Sequence, residues 1–66
     1  MKIMVNGKSR EYDNSQSLKD VITSVCQDSS KVIAEVNGMI IKSPQWPETT
    51  IKDGDSIELV SFVGGG

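Results

Sequence analysis

The sequence closes on Gly64-Gly65-Gly66, and the carboxylate of Gly66 is its best candidate for a reacting group. The stretch from Ser56 to Val63 reads as a strand running straight into those glycines with no polar spacer. Glycine has no Cβ, so a backbone of this kind can thread a narrow channel and take whatever dihedral angles the channel demands. Three extended residues give about 10 Å of reach. A carboxylate is a poor electrophile and must be activated before anything displaces its oxygen. Attack by the carboxylate on the α-phosphate of ATP in a partner's nucleotide pocket would give an acyl-adenylate. The plainer alternative is a terminus that simply frays. It fits less well with a side-chain-free tail joined directly to the longest strand.

Other chemistries fall away by residue type. The sequence has no histidine, which removes His-based triads and His-ligated metals. Its single cysteine, Cys26, cannot form an internal disulfide or hold zinc or an iron–sulfur cluster alone. Cys26 lies four residues after Ile22, near the apolar stripe of an expected helix, so it reads as a small core hydrophobe. A sulfur-relay role is the competing reading, but no histidine neighbours the thiol to activate it. Asp53-Gly54-Asp55 resembles a fragment of a calcium loop but lacks the length and closing glutamate of one, so a tight turn is expected. Trp46, between Pro44 and Pro47, reads as a partly buried anchor for an irregular crossing. Lys2, Lys8, Lys31, Lys42 and Lys52 form no stripe. No metal site is expected.

The elements that must position the tail come from 66 residues, enough for one domain. Seven basic and nine acidic side chains give a net charge of −2, against the clustered positive footprint of a nucleic-acid binder. No apolar stretch approaches a membrane span. The absence of disulfides and of a signal-like segment leads to the expectation of a cytoplasmic domain. Lys2–Val5 is β-favouring and stops at Asn6-Gly7, a strong hairpin dipeptide; the chain then returns through the polar segment Lys8–Tyr12, expected at a sheet edge. Ser17 and Asp20 fit a capping box. Leu18, Val21, Ile22 and Val25 follow at i, i+3, i+4 and i+7, predicting a helix of about ten residues. Val32–Val36, the Asn37-Gly38 turn and Met39–Ile41 read as a second hairpin. An irregular stretch around Ser43–Pro47 follows, then Ile51 as a core plug, and the final strand Ser56–Val63. One helix laid across one mixed sheet is the expected α+β arrangement. Residues 1–63 form the domain, and residues 64–66 a flexible tail.

The Asn6-Gly7 hairpin, the Asn37-Gly38 turn, the Asp53-Gly54-Asp55 turn, the strand Ile57–Val60 and the ending Phe62-Val63-Gly64-Gly65-Gly66 resemble the ubiquitin-like β-grasp sulfur carrier family. The resemblance covers residues 1–66 and is closest to the thiamine-biosynthesis branch. It implies a β-grasp fold with the last strand beside the first. It also implies a protein cosubstrate that is not itself an enzyme and binds no cofactor of its own. An adenylating enzyme of the ThiF/MoeB type would activate Gly66 with ATP; family function would sit at Gly65 and Gly66, with Gly64 an additional glycine that extends the stretch the partner binds. A persulfide donor would supply sulfur to give a C-terminal thiocarboxylate, and a thiazole synthase would receive it. Sulfur delivery to molybdopterin or another metabolite, and ubiquitin-like attachment to lysines, are the alternatives. Neither a nucleic acid nor a membrane is an expected partner.

Strand alternation places Ile57 and Leu59, with Ser61 in the same register, on the helix side of the sheet, and Glu58, Val60 and Phe62 on the open side. Ile3 and Val5 point inward and Met4 outward; Ile33 and Glu35 point outward. Met4, Ile33, Val60 and Phe62 are thereby expected to form one apolar docking patch beside the tail. A shift of one residue in register would instead bury Phe62.

Overall fold

Asn6 and Gly7 take φ of 51° and 78°, and Asn37 and Gly38 take 52° and 86°. Both dipeptides thus hold two consecutive residues in the left-handed region, which a two-residue type I′ hairpin turn requires. In this computed structural model, which describes residues 1–62, those turns join β1 (Lys2–Val5) to β2 (Lys8–Glu11) and β4 (Val32–Val36) to β5 (Met39–Ile41). Between the hairpins lie β3 (Gln16–Ser17), α1 (Leu18–Val25) and a 3₁₀ turn at Ser29–Lys31. After β5 come a 3₁₀ segment at Ser43–Glu48, β6 (Thr50–Ile51) and β7 (Ser56–Ser61).

The main sheet has the order β2-β1-β7-β4-β5. The last strand therefore occupies the centre, parallel to β1 and antiparallel to β4. With α1 laid across it, this is the β-grasp arrangement that the family resemblance implies. A second, two-stranded sheet pairs β3 with β6. The sequence gives no warning of it, because each strand is only two residues long and neither has an alternating pattern.

The capping box forms as expected: Ser17 Oγ accepts the Asp20 N–H, and Asp20 Oδ2 accepts the Ser17 N–H, both at 3.0 Å. Leu18, Val21 and Ile22 are buried against Ile3, Val5, Ala34, Ile51, Ile57 and Leu59. The fourth member of the expected stripe departs from it, since Val25 is 37% exposed. The helix stops there after eight residues rather than ten. Cys26, already in extended conformation, takes the half-buried place against the core one turn after Ile22.

The segment around the two prolines is also more regular than expected. It winds as a 3₁₀ segment, with Pro44 near its start, where its fixed φ and missing N–H are tolerated. Trp46 is buried rather than half-buried, and its indole N–H donates to the Ile41 carbonyl at 2.8 Å, so no polar atom is stranded. The final strand ends at Ser61 rather than Val63; Ser61 keeps the Ile57/Leu59 register, opposite buried Val32, but is itself exposed. Val63 lies outside the described residues.

Candidate functional site

Phe62 is the last described residue, and its placement fixes where the tail begins. Its N–H donates to the Lys31 carbonyl at 2.9 Å, tying the end of β7 to the start of β4. Gly64, Gly65 and Gly66, the expected reacting segment, lie outside the described residues. What the structure defines is the platform from which they leave.

That platform is the sheet face opposite α1. Along β7, Ile57 and Leu59 are buried while Val60 and Phe62 are 54% and 45% exposed. The register that leaves Phe62 in solvent is therefore the one adopted. Ile33 and Val60 are directly opposite partners across β4 and β7, and both are exposed. Ile33, Val60 and Phe62 thus form a short apolar strip at the root of the tail.

Met4 does not extend this strip. It points to the same face and is exposed, but its partner on β7 is Ser56. Val60 lies four positions beyond Ser56, about 13 Å along the strand. Between them Glu58 stands directly opposite Glu35. The expected single patch is therefore two apolar areas divided by a pair of like charges. Opposed like charges disfavour strand pairing in isolation, and here the pair sets two carboxylates between the two apolar areas.

The turns around β7 do more than reverse the chain. β1 ends at Val5 while β7 continues, so the Leu59 N–H has no ladder partner on that side; Asn6 Oδ1 accepts it at 2.7 Å. At the other end, Asn37 Oδ1 accepts the Ser56 N–H at 3.0 Å. In the turn before β7, Asp53 Oδ1 accepts the Lys2 N–H at 2.7 Å. Asp55 accepts the Lys52 N–H at 2.8 Å and the Asn37 side-chain amide at 3.0 Å. Both carboxylates are engaged in holding the turn, with Gly54 at φ 87°. Among the described residues, no three His, Cys, Asp or Glu side chains come together as a metal site would need. Among them, too, no helix is long and apolar enough to cross a membrane.

Two exposed residues stand outside the predicted site. Met39 and Ile40, on the edge strand β5, are 69% and 65% exposed. Three consecutive apolar residues in a strand cannot all face inward, and that rule is the signal in Met39-Ile40-Ile41. Asn6 and Asn37 give no comparable signal, because their turn role already accounts for their identity.

One helix across a mixed sheet with the last strand central defines a β-grasp domain. The ThiS family profile matches residues 3–66. The chain is 34% identical over 65 residues to the sulfur carrier protein ThiS of Bacillus subtilis (strain 168), covering 97% of this chain and 98% of that one. It is 33% identical over 66 residues to a thiazole synthase of Paramagnetospirillum magneticum, where the match covers the whole of this chain but spans only 20% of that protein's length. The crystal structure of the thiamine biosynthesis protein ThiS from Geobacter metallireducens superposes with a TM-score of 0.83 at 34% identity, covering all of both chains. The chain belongs to the ThiS family.

Proposed function

We propose that this chain is a sulfur carrier for formation of the thiazole ring of thiamine, acting as a protein cosubstrate rather than a catalyst. Under this reading Gly66 is the chain terminus. Its carboxylate attacks the α-phosphorus of ATP in an adenylating enzyme, releasing pyrophosphate and leaving an acyl-adenylate. The terminal sulfur of a persulfide donor then attacks the acyl carbon and expels AMP, giving an acyl disulfide. A thiol takes the donor sulfur into a new disulfide and releases the C-terminal thiocarboxylate. A thiazole synthase receives that sulfur. ATP is used by the partner, and the carrier holds no cofactor of its own.

The observation that carries the proposal is the family match over residues 3–66, joined to near-complete two-way coverage of a relative named as a sulfur carrier. The thiazole synthase that contains a region matching this whole chain supports the choice of acceptor. The fold is consistent with such a role: Ile33, Val60 and Phe62 stand exposed at the root of the tail, where a partner must grip the domain while the glycines enter its pocket.

Intact-mass measurement after incubation with ATP, a persulfide donor and the adenylating enzyme tests the reading. The expected product carries the mass gain of one oxygen replaced by sulfur, located in the C-terminal peptide. A chain lacking Gly66 should form no AMP adduct and should melt at the same temperature as the full chain. Lysine-linked adducts on other proteins, or AMP-adduct formation without Gly66, would overturn it.

A further inference from the structure

The two edges of the main sheet differ in kind. The β2 edge, Lys8-Ser9-Arg10-Glu11, is polar and charged, the usual means by which an edge strand is kept from pairing with other chains. The β5 edge, Met39-Ile40-Ile41, has no such protection, and Met39 and Ile40 are largely exposed. A two-residue turn makes Val36 and Met39 a hydrogen-bonded pair, so the next pair, Glu35 and Ile40, is a non-bonded one. The N–H and C=O of Ile40 therefore point away from the sheet, ready to pair with a further strand.

Beside this edge, where β5 ends and β4 begins, lies an open cleft of about 720 Å³. Val32, Ile33, Ile41, Trp46 and Phe62 contribute apolar lining, and the Trp46 indole N–H is already committed to Ile41. Lys19 and Lys42 line it, and no acidic side chain does. The nearby Asp28 carboxylate is turned onto the Ser30 N–H and hydroxyl, at 3.0 and 2.6 Å. In a chain of net charge −2, this cleft is a local concentration of positive charge over an apolar surface.

We propose that the β5 edge and this cleft take an extended segment of a partner protein in which acidic side chains flank apolar ones. Its main chain pairs with Ile40, its apolar side chains cover the apolar lining of the cleft, and a carboxylate sits between Lys19 and Lys42. Strand addition of this kind draws affinity from main-chain hydrogen bonds and specificity from alternate side chains. A second copy of the chain fits less well, because its β5 edge would bring another Lys42 and no carboxylate. The inference goes beyond the carrier chemistry and does not depend on Gly66.

The test is a titration of the ¹⁵N-labelled full chain with a short synthetic peptide, acetyl-Glu-Asp-Val-Ile-Val-Asp-Glu-amide, followed by NMR. Saturable shifts are expected at the amides of Ile40 and Lys42 and at the Trp46 indole. The Lys19→Glu/Lys42→Glu double variant should weaken binding roughly tenfold or more. Lys42→Gln, a milder change at an exposed position, should weaken it by a smaller factor. A peptide with lysines in place of its acids should not bind. Removing residues 64–66 should leave the peptide affinity unchanged, which separates a failure here from a failure of the carrier reading. Shifts centred on Lys8–Glu11, no saturable shift at millimolar peptide, affinity indifferent to both lysine changes, or self-association through β5 in place of peptide binding would each overturn the proposal.

Discussion

The side-chain carbonyl of Asn6 accepts the backbone N–H of Leu59 at 2.7 Å, across 53 positions of sequence. A hairpin turn residue thereby supplies the central strand with the partner that β1 no longer offers once it has turned away. The same residue sits at φ 51°, where most side chains are strained.

Asn6→Gly separates these two roles, since glycine accepts the backbone conformation but offers no acceptor. The expected loss is about 1–3 kcal/mol, the penalty of leaving a largely buried N–H unpaired. Asn6→Asp keeps an acceptor oxygen and should stay closer to wild type. Urea denaturation of the two variants checks this, and an Asn6→Gly protein as stable as wild type would remove the Leu59 bond from the account.

Phe62→Ala should leave the fold intact and weaken binding to the adenylating enzyme. The ring is 45% exposed, so truncation opens no core cavity. Aromatic anchors often dominate interfaces, and a loss of about tenfold or more, about 1.4 kcal/mol, is expected. Measuring the denaturation midpoint and the dissociation constant together decides the matter. An unchanged affinity would take Phe62 out of the docking surface.

Cys26→Ser should fold and acquire sulfur normally. Cys26 is half-buried against the core, and its N–H donates to the Ile22 carbonyl at 2.8 Å, an interaction the substitution preserves. A modest loss of stability, of the size usual for one substitution at a partly buried site, is expected. Normal folding with no thiocarboxylate formed would show instead that the thiol takes part in the transfer.

Asp28 makes a prediction in pH. The Ser30 hydroxyl and then the Ser30 N–H, both donating to its carboxylate, hold it below the ordinary aspartate range. A carboxyl whose pKa is lower when folded stabilises the fold above its unfolded pKa, and that contribution disappears as pH falls through the folded value. The window therefore opens at the ordinary aspartate pKa and runs downward. In Ser30→Ala the carboxyl should titrate at higher pH than in wild type, followed by NMR of the Asp28 side chain; an unmoved titration would dissociate the shift from the hydroxyl.

Much of the fold was legible because local chemistry and global topology agree. Asn-Gly dipeptides demand two left-handed residues, and Ser17 with Asp20 closes its capping box over three positions of chain. Alternation from Ser56 through Phe62 correctly assigns Ile57 and Leu59 to the core and Val60 and Phe62 to solvent. The direction in which Val60 and Phe62 point is a local fact, because a strand's period of two leaves only one alternative and the buried residues exclude it. Whether those exposed side chains make one surface is not local. It depends on which residues face one another across strands that are distant in sequence, and that pairing put Ile33 beside Val60, Glu35 beside Glu58, and Met4 far off beside Ser56. The helix end, the burial of Trp46, the little β3–β6 sheet and the bare β5 edge were settled in the same way. Each depends on the space left by neighbouring elements, and side-chain pattern along one segment carries no record of that space.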